Sequence, residues 1–151
     1  RTFPEVDEGR SFPPKYDRRH NLSMTTVYRF KPVCPTCGRW SLNANFIYGT
    51  GQAFTPAAAR YTLRDRPVDR LLGARRNTAR LLPYHRLDIG FRRTLKMFGG
   101  GVDAEVYVQV FNFYNRRNEW FVEYDARDSS RKPNVVPMLP VLPTFGFDFR
   151  F

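Results

Sequence analysis

The run Pro143-Thr144-Phe145-Gly146-Phe147-Asp148-Phe149-Arg150-Phe151 alternates without interruption. Side chains on a strand point to opposite faces with period two, so Phe145, Phe147, Phe149 and Phe151 share one face while Thr144, Gly146, Asp148 and Arg150 share the other. One face is wholly aromatic. A soluble sheet would bury such a face in a core. An unbroken aromatic ladder along a whole strand matches a barrel strand that faces lipid.

The same alternation recurs upstream. Leu22, Met24, Thr26, Tyr28 and Phe30 oppose Ser23, Thr25, Val27, Arg29 and Lys31; Trp40, Leu42, Ala44, Phe46 and Tyr48 oppose Ser41, Asn43, Asn45, Ile47 and Gly49. Leu87, Ile89, Phe91 and Leu95 oppose Arg86, Asp88, Gly90, Arg92, Thr94 and Lys96, with Arg93 as the one charge on the apolar side, expected to snorkel toward headgroups. Val102, Ala104, Val106, Val108 and Val110 oppose Asp103, Glu105, Tyr107 and Gln109. These patterns predict strands near 22–32, 39–50, 85–97, 101–114 and 141–151. The remainder, 1–21, 51–84 and 115–140, reads as loops. Weak helical spacing from Val68 to Leu82, broken by Gly73, allows a short helix in the second of them.

Alternation alone suits a β-sandwich as well as a membrane barrel. Strand length and connector length separate the two. Strands of about ten residues cross a bilayer at a tilt, whereas soluble sheets average about five or six. The connectors run short, long, short, long, as in barrels with tight periplasmic turns and long external loops. The fold class expected is therefore all-β, an antiparallel up-and-down transmembrane β-barrel segment in the outer membrane. Both long connectors and residues 1–21 would be external, and the turn holding Cys34 and Cys37 would be periplasmic.

The chain of 151 residues holds 25 basic and 14 acidic residues, a formal charge of +11. That balance suits anionic partners, and position must choose among them. Cys34 and Cys37 are the two cysteines. A zinc site wants about four ligands and neither histidine offers the spacing, while no helix start surrounds the pair to activate a thiol. A local disulfide pinching the turn is the reading taken, and it fits an oxidising compartment. Glu5, Asp7 and Glu8 lack the spaced carboxylates of a calcium loop and read as solvated. Asp17, His20, Ser23, His85 and Asp88 fall near the outer rim, but without a nucleophile elbow or paired His–Asp spacing no enzyme is expected. No cofactor is expected either. The chain starts at Arg1 without a charged and apolar targeting run, so a processed product or a fragment is expected.

Four stretches, taken in order and in strand context, resemble the C-terminal barrel of TonB-dependent outer-membrane receptors. They are Tyr16-Asp17-Arg18-Arg19-His20, Tyr48-Gly49-Thr50-Gly51-Gln52-Ala53-Phe54-Thr55, Leu82-Pro83-Tyr84-His85-Arg86-Leu87-Asp88 and Phe111-Asn112-Phe113-Tyr114-Asn115. The resemblance spans roughly residues 12–151. It implies a closing segment of a receptor that imports a scarce ligand, of the metal-chelate, cobalamin or glycan class, through a barrel of about 22 strands with an internal plug. Five strands cannot close a barrel, so the missing strands and plug would come from the same polypeptide or another chain, and TonB would be engaged by a part outside this one. Phe145, Phe147, Phe149 and Phe151 match the family's barrel-assembly signal.

On this reading Arg86, Asp88, Arg92, Asp103, Glu105, Asp148 and Arg150 line the lumen. Arg64, Arg66, Arg70, Arg75 and Arg76 stand in the external loop toward lipopolysaccharide or membrane-lipid phosphate rather than nucleic acid. Trp120, Phe121 and Tyr124 read as loop packing or as an aromatic girdle, with contact to the ligand as the alternative. The rival reading is a soluble or secreted all-β binding module with a basic surface for an anionic partner.

Overall fold

A computed structural model describes residues 5, 7–34, 37–56, 59–63, 66–70, 75–97, 102–123 and 133–150. Among the described residues the chain is all-β, with eleven strands and no α-helix. The strands are β1 (Asn21–Arg29), β2 (Arg39–Gly49), β3 (Ala53–Phe54), β4 (Ala59–Leu63), β5 (Arg66–Arg70), β6 (Ala79–Arg80), β7 (Tyr84–Met97), β8 (Val102–Phe111), β9 (Glu119–Glu123), β10 (Asn134–Pro137) and β11 (Leu142–Arg150). The five long ones form an open sheet in the order β1-β2-β7-β8-β11, while β3/β6, β4/β5 and β9/β10 pair as small antiparallel ladders.

Two compact units result, one comprising 1–21, 49–84 and 118–138, the other 22–48, 85–117 and 139–151. The second unit holds most of the long sheet. Its register is set by residues whose alternation is strictly in phase: Phe145 stands opposite Val108, Phe147 opposite Val106 and Phe149 opposite Ala104. On the far side of β8, Phe91 stands opposite the same Val108, Arg93 opposite Val106 and Leu95 opposite Ala104. A slip of one residue would exchange the two faces of the slipped strand, so this register keeps apolar with apolar apart from Arg93 opposite Val106. Among the described residues of this unit, Asp88, Gly90, Ala104 and Asn112 are the only buried ones. The sheet is a single layer.

Among the described residues of the other unit, Ala53 is the one buried apolar side chain, and polar contacts to backbone tie its segments together. Arg80 donates to the carbonyls of Asp17 (3.2 Å) and Gly51 (3.1 Å) and pairs with the Asp17 carboxylate. Asn77, at φ 53°, donates from its side chain to the Pro13 carbonyl (2.7 Å), and its backbone N–H donates to Thr55 Oγ1 (3.0 Å). His20 N–H donates to Thr50 Oγ1, and Thr50 N–H returns to the His20 carbonyl. Glu119 accepts from Leu82 N–H at 2.6 Å. Each such bond satisfies backbone that no ladder reaches.

Two expectations need correction. The helix allowed between Val68 and Leu82 is absent from its described part: Val68 lies in β5, and Ala79 and Arg80 form β6. Its described residues find strand partners instead, Val68 opposite Tyr61 and Ala79 and Arg80 opposite Phe54 and Ala53. The long connectors are not simple loops, since they contain the β4/β5 and β9/β10 hairpins. Arg93 lies with its guanidinium over the Trp40 ring, 4.9 Å from the centroid, a cation–π contact on the apolar side of the sheet.

Candidate functional site

The long sheet presents two chemically different faces. On one, Phe145 is 84% exposed, Phe147 70% and Phe149 49%, and Leu22, Met24, Tyr28, Trp40, Phe91, Val106 and Val108 are exposed with them. Phe147 and Phe149 touch at 5.6 Å between ring centroids. Phe151 lies outside the described residues. Full burial of a Val or Phe side chain stabilises by about 1.5–3 kcal/mol, so the isolated chain leaves a large apolar stabilisation unrealised on this face. A bare surface of this extent marks contact with lipid or protein.

The opposite face is polar and internally paired. Asp103 stands between Lys96 and Arg150, Glu105 between Thr94 and Asp148, and Tyr107 between Arg92 and Gly146. Arg92 meets the Glu105 carboxylate at 2.8 Å, while Asp148 and Arg150 approach only to 3.9 Å. Asp103 thus sits between two cations, a favourable cross-strand arrangement, whereas Glu105 and Asp148 stand directly opposite as like charges and Arg92 offsets the first of them. Thr25 donates to the Asn45 amide oxygen at 3.0 Å on β1 and β2. A concavity of about 510 Å³ opens here, lined by Arg29, Arg39, Asn43, Arg92 and Glu105 among others. Its walls carry three guanidinium groups against one carboxylate.

Arg86 and Asp88 separate from the other lumen candidates. Asp88 is 7% exposed, pairs with Arg86 at 2.9 Å and accepts the backbone N–H of Asn112 at 2.9 Å. The Arg86 guanidinium stacks 3.8 Å from the Phe111 ring centroid. The sequence reading overlooked Asn112, which is 1% exposed at φ 52°. Its amide donates to the carbonyls of Arg116 and Leu139, and its oxygen accepts from Arg116 N–H. Asn115, also at φ 52°, accepts from Val141 N–H. The Asn-x-x-Asn spacing in Phe111-Asn112-Phe113-Tyr114-Asn115 was the available signal, because Asn tolerates the left-handed region and binds nearby backbone. Asp88 and Arg86 thus brace the exit of β8.

The other candidates fall as follows. Cys34 and Cys37 form a disulfide with Cα atoms 5.0 Å apart, and Cys37 N–H donates to the Cys34 carbonyl at 3.1 Å. Arg75 and Arg76 are exposed, and Arg76 lies over the Phe12 ring at 5.9 Å. Arg66 and Arg70 begin and end β5; Arg64 and Tyr124 lie outside the described residues. No family model, curated protein or solved structure matches the chain.

Proposed function

We propose that this chain is the closing segment of a TonB-dependent receptor in the bacterial outer membrane, its phenylalanine face toward lipid and its paired-charge face toward the lumen. The observation that carries this reading is the bare apolar face, continuous across β7, β8 and β11 in register and backed by a charged face. A water-soluble single layer would leave that face unpaid for, whereas hydrocarbon covers it without any further protein.

Strand length supports the same reading. β1, β2, β7, β8 and β11 have 9, 11, 14, 10 and 9 residues, at or above the roughly 9–11 that span a bilayer at a tilt. The sheet is open at β1 and β11, so further strands and a plug complete the wall, and TonB engages the receptor elsewhere. The chain acts in import of a scarce ligand, without catalysis of its own. Lipopolysaccharide or membrane-lipid phosphate is the anionic partner for Arg75 and Arg76, which are exposed in the connector.

Detergent dependence tests the reading. The purified chain should be monodisperse in micelles and aggregate when detergent is removed. A monodisperse protein in plain buffer would favour the soluble module with a basic surface and overturn the membrane assignment.

A further inference from the structure

A cleft of about 300 Å³ lies within the connector unit, with Lys15, Gln52, Phe54, Thr55, Trp120 and Phe121 among its walls. That volume sits at the lower end of the roughly 300–1,000 Å³ of small-molecule sites. Trp120 is 61% exposed and Phe121 42%, although both belong to a paired strand, so the hairpin spends two large rings on surface. Folding of this unit does not explain that expenditure of apolar area.

The ring geometry narrows the occupant. Trp120 and Phe121 meet edge to face, centroids 5.3 Å apart and planes at 67°. A planar aromatic ligand clamped between two rings needs near-parallel faces, and these are not parallel. A saccharide needs one aromatic face for its C–H surface and several hydrogen-bonding groups at its edge. Trp120 supplies the face and Gln52 an amide, while the Thr55 hydroxyl, which already donates to Asn77 Oδ1 and accepts the Asn77 N–H, keeps one lone pair to accept from a sugar hydroxyl. Lys15 brings a cationic side chain to the cleft, and among the described residues no carboxylate lines it. An acidic group on the sugar would meet that charge without opposition.

We propose that this cleft binds an acidic saccharide, with its ring on Trp120 and its carboxylate toward Lys15. As a binding site the cleft stands independently of the membrane assignment; as the capture site for imported cargo it rests on it.

The test uses the full chain in detergent with Trp40→Phe, which leaves Trp120 as the single indole. Digalacturonate should change Trp120 emission saturably, and maltose, lacking a carboxylate, should bind roughly tenfold more weakly. By calorimetry, Trp120→Ala should weaken digalacturonate by roughly tenfold or more, and Lys15→Ala should abolish the preference for the acidic sugar while leaving maltose unchanged. Gln52→Ala keeps every ring in place and should weaken both sugars, so the site stays testable if Trp120→Ala does not fold. No saturable response to either sugar from folded protein, or undiminished binding by folded Trp120→Ala, overturns the site. Tighter binding of salicylate than of either sugar overturns the ligand class. Detergent dependence is read separately: its loss sinks the barrel and leaves this site standing.

Discussion

The backbone N–H of Asn112 donates to the buried carboxylate of Asp88 at 2.9 Å, tying the turn after β8 to β7. The same asparagine holds the carbonyls of Arg116 and Leu139, so one side chain organises the exit of β8 and the approach to β11. A residue at φ 52° whose buried side chain makes three polar contacts to backbone is hard to replace.

Asn112→Ala should therefore destabilise by about 2–4 kcal/mol, combining left-handed backbone strain with lost buried hydrogen bonds. Asn112→Gly should recover the conformational part alone. Thermal melts of both variants in micelles check this, and equal loss for the two would show that the backbone conformation costs nothing.

Two glycines in Tyr48-Gly49-Thr50-Gly51 should respond differently to alanine. A Cβ on Gly51 would run into the backbone carbonyl of Leu81, which is held in place because Leu81 N–H donates to Gln52. Gly51→Ala should cost about 2–4 kcal/mol. A Cβ on Gly49 would meet the Arg18 guanidinium at 2.7 Å and the Asn21 side chain at 2.9 Å, both able to rotate away. Gly49→Ala should cost less than half as much, measured by denaturant unfolding.

Val108 and Gln109 are neighbours on β8 that face opposite sides of the sheet. Val108 stands in register with Phe91 and Phe145, and Gln109 with Gly90 and Thr144. If the phenylalanine face meets hydrocarbon, Val108→Arg should cost about 2–4 kcal/mol and Gln109→Arg little. Unfolding from bilayers compares them, and equal sensitivity would contradict the facing.

The Cys34–Cys37 disulfide closes a loop with a sequence separation of three. Loop entropy at that length gives about 2 kcal/mol. Cys34→Ser should lower the melting temperature modestly and match wild type in reductant. A collapse of folding in the variant would assign the bridge a larger role.

Much of the long sheet was legible in sequence because its strands are in phase: a period of two, repeated along Val102 to Val110 and Phe145 to Phe149, specifies both strand and face. The ends of strands were less legible. β8 stops at Phe111 rather than 114 because Asn112 turns left-handed, and hydropathy does not encode that choice. The connector hairpins were missed because β9 and β10 find their pairing partners in each other across residues that lack a long alternating pattern.

Alternation by itself determined that this protein is built of strands and which side chains share a face, since that depends only on local backbone geometry. Tertiary structure alone decided which charges meet. Arg92 pairs with Glu105, Asp88 turns inward to brace Asn112, and Arg93 settles on Trp40. Those outcomes depend on register between strands distant in sequence, and a single-strand pattern carries no information about its partner's offset. The cleft at Trp120 has the same origin, for its walls come from four separated segments that only folding brings together.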